Sequence, residues 1–85
     1  MLYWSSRFRK QFKRCSPNIR QVAYDRLAAL EQNEFEKFLN NHKLSGKCAQ
    51  YRSINVTGDI RIMYQKVSNN SFYLAGIGTH SELYK

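Results

Sequence analysis

The sequence predicts an α+β fold, with two N-terminal helices packed on one face of a small antiparallel meander sheet. Three observations predict it. Apolar residues recur at helical spacing through the first half of the chain. They alternate with period two from Tyr51 to Ile77. The turns between the alternating runs are three to four residues long, which suits antiparallel neighbours.

Leu2-Tyr3-Trp4 is a short β-type run, suited to an edge strand. Ser5-Ser6 supplies an N-cap. Phe8, Phe12 and Cys15 then mark one helical face at i, i+4 and i+7. Arg7, Arg9, Lys10, Lys13 and Arg14 occupy the rest of that circumference. Ser16-Pro17 ends this helix and starts the next, with the proline in a first turn that needs no N–H. The second helix is expected from Asn18 to Gln32, with Ile19, Val22, Ala23, Leu27, Ala28 and Leu30 as its stripe. Phe35, Phe38 and Leu39 continue at helical spacing, and Asn40 to Gly46 reads as a loop.

Strands follow at Tyr51–Val56, Ile60–Val67 and Phe72–Ile77. Thr57-Gly58-Asp59 and Ser68-Asn69-Asn70-Ser71 are the hairpin turns. The expected core is Phe8, Phe12, Val22, Leu27, Leu30, Ile54, Ile62 and Leu74. The sheet face opposite the helices is left partly open, and function is expected there.

Composition narrows the class. The 85 residues make one small domain, 1–85, whose 42% apolar content excludes a disordered tail. No apolar run reaches the ~20 residues of a membrane span, and the opening has no signal-peptide core. A cytoplasmic protein is expected. Cys15 and Cys48 fit no zinc spacing and are expected as reduced thiols. The net charge is +8, and residues 1–26 carry seven basic side chains against one acid. Such a field attracts nucleic acid, an acidic protein or a membrane surface.

Several segments together resemble a known family: Leu44-Ser45-Gly46, Tyr51-Arg52-Ser53-Ile54, Gly58-Asp59-Ile60-Arg61-Ile62-Met63-Tyr64, and the ending Gly78-Thr79-His80-Ser81-Glu82-Leu83-Tyr84. Phe8-Arg9-Lys10-Gln11 and Leu39-Asn40-Asn41-His42-Lys43-Leu44 fit the same pattern. The chain resembles the RelE/ParE superfamily of toxins from type II toxin–antitoxin pairs, on the YafQ-like side. The resemblance implies a RelE-like fold and a small endoribonuclease, an mRNA interferase that cuts mRNA in the ribosomal A site. It implies no metal or cofactor, since the 2′-hydroxyl itself attacks the adjacent phosphate. It also implies a cognate antitoxin with an acidic segment, and a higher toxin–antitoxin oligomer on operator DNA.

Metal-free RNA cleavage needs a base for the 2′-hydroxyl, an acid for the leaving oxygen, and cations for the phosphorane. Histidine is the side chain whose ordinary pKa lies nearest neutrality. His80 follows the last strand, matches the family's C-terminal histidine, and is the expected acid. By the same resemblance His42 lies near the scissile phosphate, and Asp59 matches a family acidic position. Arg61 points away from Ile60 and Ile62, where a guanidinium can hold a phosphate through paired hydrogen bonds. Tyr84 matches a C-terminal aromatic. Lys10, Lys13, Arg14, Tyr51 and Arg52 are the expected RNA contacts, although Arg52 shares the face of Ile54. The chain departs from some YafQ-like members at Asn55, where they carry histidine, and at Ile60, where they carry an aromatic. Asparagine is no base near neutral pH, so either His42 or Asp59 is the base, or proton removal is left to the ribosome's surroundings. Two other readings remain: a ParE-type gyrase poison on the same fold, and a non-catalytic RNA- or ribosome-binding module.

Overall fold

A computed structural model describes residues 1–84. The chain runs β1 (Leu2–Trp4), α1 (Ser6–Arg14), α2 (Pro17–Gln32), β2 (His42–Lys43), β3 (Arg52–Thr57), β4 (Ile60–Ser68), β5 (Ser71–Gly78) and α3 (His80–Leu83). Short 3₁₀ turns sit at Lys37–Leu39 and Gly46–Cys48. The α+β prediction holds.

Local chemistry sets the helix starts. Ser5 caps α1, its hydroxyl accepting from the Phe8 N–H at 3.0 Å. Ser16 caps α2 in the same way through Ile19, with Pro17 in the first turn. Lys13 and Arg14 lie in the last turn of α1, where cations favour the helix dipole.

The five strands lie in the order β1-β5-β4-β3-β2. β2 through β5 pair antiparallel, as the short turns require. β1 is the edge strand that the sequence suggested, but it runs parallel to β5, with Leu2 beside Phe72 and Trp4 beside Leu74. The helices cover one face. Phe8 and Phe12 of α1 and Leu27 and Leu30 of α2 meet Ile54, Ile62 and Leu74 in the core.

Four expectations need correction. Val22 is half-buried rather than buried, and Ala28 is exposed: the buried row of α2 runs through Ala23, Leu27 and Leu30. Phe35 and Phe38 are exposed, because the chain leaves α2 at Asn33 and only Leu39 of the 3₁₀ turn reaches the core. His42–Lys43 is a short strand within the expected loop, hydrogen-bonded to the free edge of β3. Finally, the tail after Gly78 forms α3, and Leu83 joins Met63 and Ala75 on the second sheet face. That face is therefore partly roofed.

Candidate functional site

The second face follows from strand alternation. Ile54 and Val56 of β3 point to the helices, so Ser53 and Asn55 point away. On β4, Ile62 and Tyr64 face the helices and Arg61 faces away. Asn55 pairs with Arg61 in the sheet register. The Arg61 guanidinium donates to Asn55 Oδ1 at 2.7 Å, which fixes a half-buried cation on an otherwise open face. Arg61 also lies opposite Gly78, the last residue of β5. The tail that leaves Gly78 thus begins beside it.

Thr79 turns that tail into α3 through a reciprocal cap. Its hydroxyl accepts from the Glu82 N–H at 3.2 Å, and Glu82 Oε1 accepts from the Thr79 N–H at 2.8 Å. His80 is the first residue of the helix. Its ring meets Tyr84 edge to face, with centroids 4.4 Å apart. Two residues of α1 hold the tail and the end of β5. Arg7 donates to the carbonyls of Glu82 and Leu83 at 3.4 and 3.3 Å. Gln11 Oε1 accepts from the Ile77 N–H at 2.9 Å. Gly76 permits this approach, since a Cβ there would stand 2.9 Å from Gln11 Oε1 and from Leu83 Cδ2.

The outcome is a cleft of about 250 Å³ lined by Asp59, Arg61, Thr79, His80 and Ser81. A second cleft opens on the other side of His80, lined by Leu44, Ser45, Lys47, Cys48 and Tyr84. Asp59, Arg61 and Tyr84 thus lie around the His80 imidazole. The Tyr84 hydroxyl is shielded, with no hydrogen-bond partner among the described residues. Among the described residues no three His, Cys, Asp or Glu side chains converge as a metal site would require.

His42 is not in this gathering. It lies on β2, level with Ser53 and on the same face, and its Nδ1 is 3.0 Å from the Asn40 carbonyl oxygen. Three strand spacings, about 14 Å, separate β2 from β5. Arg52 lies on the helix side of the sheet. Its Nε donates to Asn41 Oδ1 at 2.6 Å, and its guanidinium stands 5.4 Å from the Phe35 ring centre. Asn41 in turn donates to the Glu34 carbonyl at 2.9 Å and to the Tyr64 hydroxyl at 2.5 Å. The Tyr64 hydroxyl donates to Glu34 Oε2 at 2.8 Å, and Lys66 pairs with Glu34 Oε1 at 3.1 Å. This network ties the segment before His42 to the sheet.

Tyr51 packs beside Met63 and Ala75 and lines neither cleft that holds His80. Lys10 and Lys13 border a separate groove with Trp4 and Tyr24, and Arg14 borders a depression with Cys15 and Glu82. Both cysteines are free thiols. Burial, opposed by Arg20 and reinforced by Glu82, raises the Cys15 pKa. Sequence reasoning passed over Asn55 as an anchor and Thr79 as a cap. The Thr-x-x-Glu spacing was the available signal for the second.

A family model described as "Bacterial toxin of type II toxin-antitoxin system, YafQ" matches residues 1–85. The chain belongs to the YafQ toxin family. Structures of other toxins share the YafQ-type fold. A YoeB/ParE toxin from Agrobacterium tumefaciens superposes with a TM-score of 0.80 at 18% identity, covering 93% of this chain and 96% of that one. YafQ from Escherichia coli BL21(DE3) gives 0.72 at 19% identity, covering 100% of this chain and 98% of the other. The YoeB–YefM complex from Staphylococcus aureus gives 0.80 at 18% identity, covering 94% and 95%. A comparison with curated protein sequences returned no match. This YafQ-family chain is thus a type II toxin. No helix among its described residues is long and apolar enough to cross a membrane.

Proposed function

We propose that this toxin is a ribosome-dependent mRNA endoribonuclease acting by metal-free acid–base chemistry. The observation that carries the reading is one cleft holding a carboxylate, a tethered guanidinium and an imidazole: Asp59, Arg61 and His80. Asp59 takes the proton of the 2′-hydroxyl, whose oxygen then attacks the adjacent phosphorus. Arg61, aimed by Asn55, carries the charge of the phosphorane oxygens. His80 gives its proton to the departing 5′-oxygen. The products are a cyclic phosphate and a 5′-hydroxyl. Among the candidate bases, Asp59 lines the cleft with His80, whereas His42 lines neither cleft beside His80. The edge-to-face contact with Tyr84 orients the His80 ring. A cognate antitoxin with an acidic segment, able to bind operator DNA, silences the enzyme, in keeping with the YoeB–YefM complex of a structural neighbour.

The test is single-turnover cleavage of A-site mRNA on programmed ribosomes. His80→Gln should lower the rate by about 10²–10⁴-fold while ribosome binding survives, the usual contribution of a positioned acid. Wild-type cleavage by that variant removes His80 from the chemistry. Growth arrest without RNA cutting moves the protein to the gyrase-poison reading.

A further inference from the structure

A broad depression lies away from the cleft that holds His80. It holds about 490 Å³, between the β1 edge, the outer side of α1 and the flank of α2. That size is within the range of ordinary ligand sites. Trp4, Phe12 and Tyr24 form its aromatic part, and Arg9, Lys10 and Lys13 its rim; Ser6 is the remaining lining residue. It contains three cations and no acid.

Tyr24, part of Trp4 and the three cations are open, while Phe12 is buried beneath them. Tyr24 is 52% exposed. Trp4 is half-buried, its indole braced edge-on by Phe8 and Phe12 at 4.8 and 4.9 Å. Tyr24 leans toward Trp4, with ring centres 6.3 Å and planes 39° apart, and meets Phe12 edge-on at 5.2 Å. Arg9 stands 5.9 Å from the Trp4 ring centre. Lys10 and Lys13 are exposed and have no ion-pair partner among the described residues.

We propose that this groove is a second RNA site, which stacks an unpaired base on Trp4 and Tyr24 while Arg9, Lys10 and Lys13 hold the flanking phosphates. Flat apolar rings beside closely spaced cations match a nucleotide, which carries a π-face and an anion on one short frame. A peptide fits less well. The groove draws six of its seven lining residues from α1 and α2, whose backbones are committed to their own helices, and only Trp4 from the edge strand β1. It also presents one depression rather than the row of pockets that a docked helix needs. The inference deepens the nuclease reading and rests on it for the identity of the polymer. The site would hold ribosomal or messenger RNA at a distance from the scissile bond.

Trp4 is the chain's one tryptophan, so its fluorescence reports on the groove alone. The probe is a 2′-O-methyl adenosine hexamer, which lacks the attacking hydroxyl and cannot be cut. An abasic hexamer of equal charge and poly-glutamate are the controls. We expect saturable quenching by the adenosine hexamer and not by either control. Tyr24→Leu should weaken hexamer binding by about tenfold or more, the usual effect of losing one stacked base. Lys10→Gln with Lys13→Gln should flatten the salt dependence by about 0.7 of a log unit per charge. Equal affinity for the abasic hexamer overturns the base slot, and tighter binding of poly-glutamate assigns the groove to an acidic protein instead. Hexamer binding without quenching also overturns it. The parent reading fails separately: quenching without cleavage on ribosomes sinks the nuclease and leaves the groove, whereas cleavage without quenching does the reverse.

Discussion

Replacing Tyr64 by phenylalanine tests the network that carries the His42 segment. Tyr64 is fully buried. The change keeps the ring and deletes one hydroxyl that donates to Glu34 and accepts from Asn41. Asn41 keeps the Glu34 carbonyl and Glu34 keeps Lys66, so neither group is wholly orphaned. What disappears is one hydrogen bond to a buried carboxylate and one neutral bond, together about 2 kcal/mol near pH 7. For a domain of this size that lowers Tm by roughly 8–16 °C. Burial first, and then the hydrogen bond to Glu34, raise the Tyr64 pKa above tyrosine's ordinary value of about 10. A raised native pKa gives stability that is full below the unfolded pKa and lost as pH rises past it, because the unfolded chain releases the proton first. The native state then holds one more proton, and stability falls by about 1.4 kcal/mol per pH unit. The gap between wild type and Tyr64→Phe should therefore be level to about pH 9 and close above about pH 10. Urea titrations at several values between about pH 7 and pH 11 measure it. A gap that stays constant through about pH 11, or that never exceeds about 0.5 kcal/mol, refutes the argument.

Two further substitutions probe the cleft. Asn55→Ala releases the Arg61 guanidinium and should slow single-turnover cleavage by roughly 10–100-fold with ribosome affinity held, since small misplacements cost that much; an unchanged rate means Asn55 does not aim Arg61. Leu83→Ala empties the center of the second cluster and should cost about 2–5 kcal/mol in urea unfolding, with cleavage falling because α3 carries His80; a loss under about 1 kcal/mol would show that the tail is not packed as described.

The parts of the fold that were legible in the sequence are those decided within a few residues. Ser5 and Ser16 announce their helices because a cap needs only a hydroxyl and the next turn. The strands of the meander were legible because period two is local. The parallel pairing of β1 with β5 was not, because three residues say nothing about a partner 70 positions away. β2 is a strand because the free edge of β3 offers it hydrogen bonds, and no polar dipeptide carries that information. The helical spacing of Phe35 and Phe38 misled, since the chain had already left the helix at Asn33. At the site, alternation put Arg61 on the second face and Arg52 on the first, and the structure agrees on both. The joining of Glu34, Asn41, Arg52 and Tyr64 was not legible, because it brings together three segments with no common period.

Helix α1 links the two ends of this molecule. Its nine residues present three faces. Phe8 and Phe12 enter the core. Arg7 and Gln11 reach the other way and hold the backbone of β5 and α3, which sets where His80 stands. Arg9, Lys10 and Lys13 face outward over Trp4 and Tyr24. A helix confined to electrostatic capture would need only the outer face, and a purely structural one would carry cations at random around its exposed side. Here the two polar faces differ in chemistry. One is tied by hydrogen bonds to backbone atoms; the other keeps Lys10 and Lys13 clear of any described ion pair. The division sets the hydrogen-bonded side of the helix against the tail that carries His80, the proposed acid. It leaves the exposed, charged side for the polyanion proposed to bind there, whose grip tolerates side-chain motion in a way that proton transfer does not.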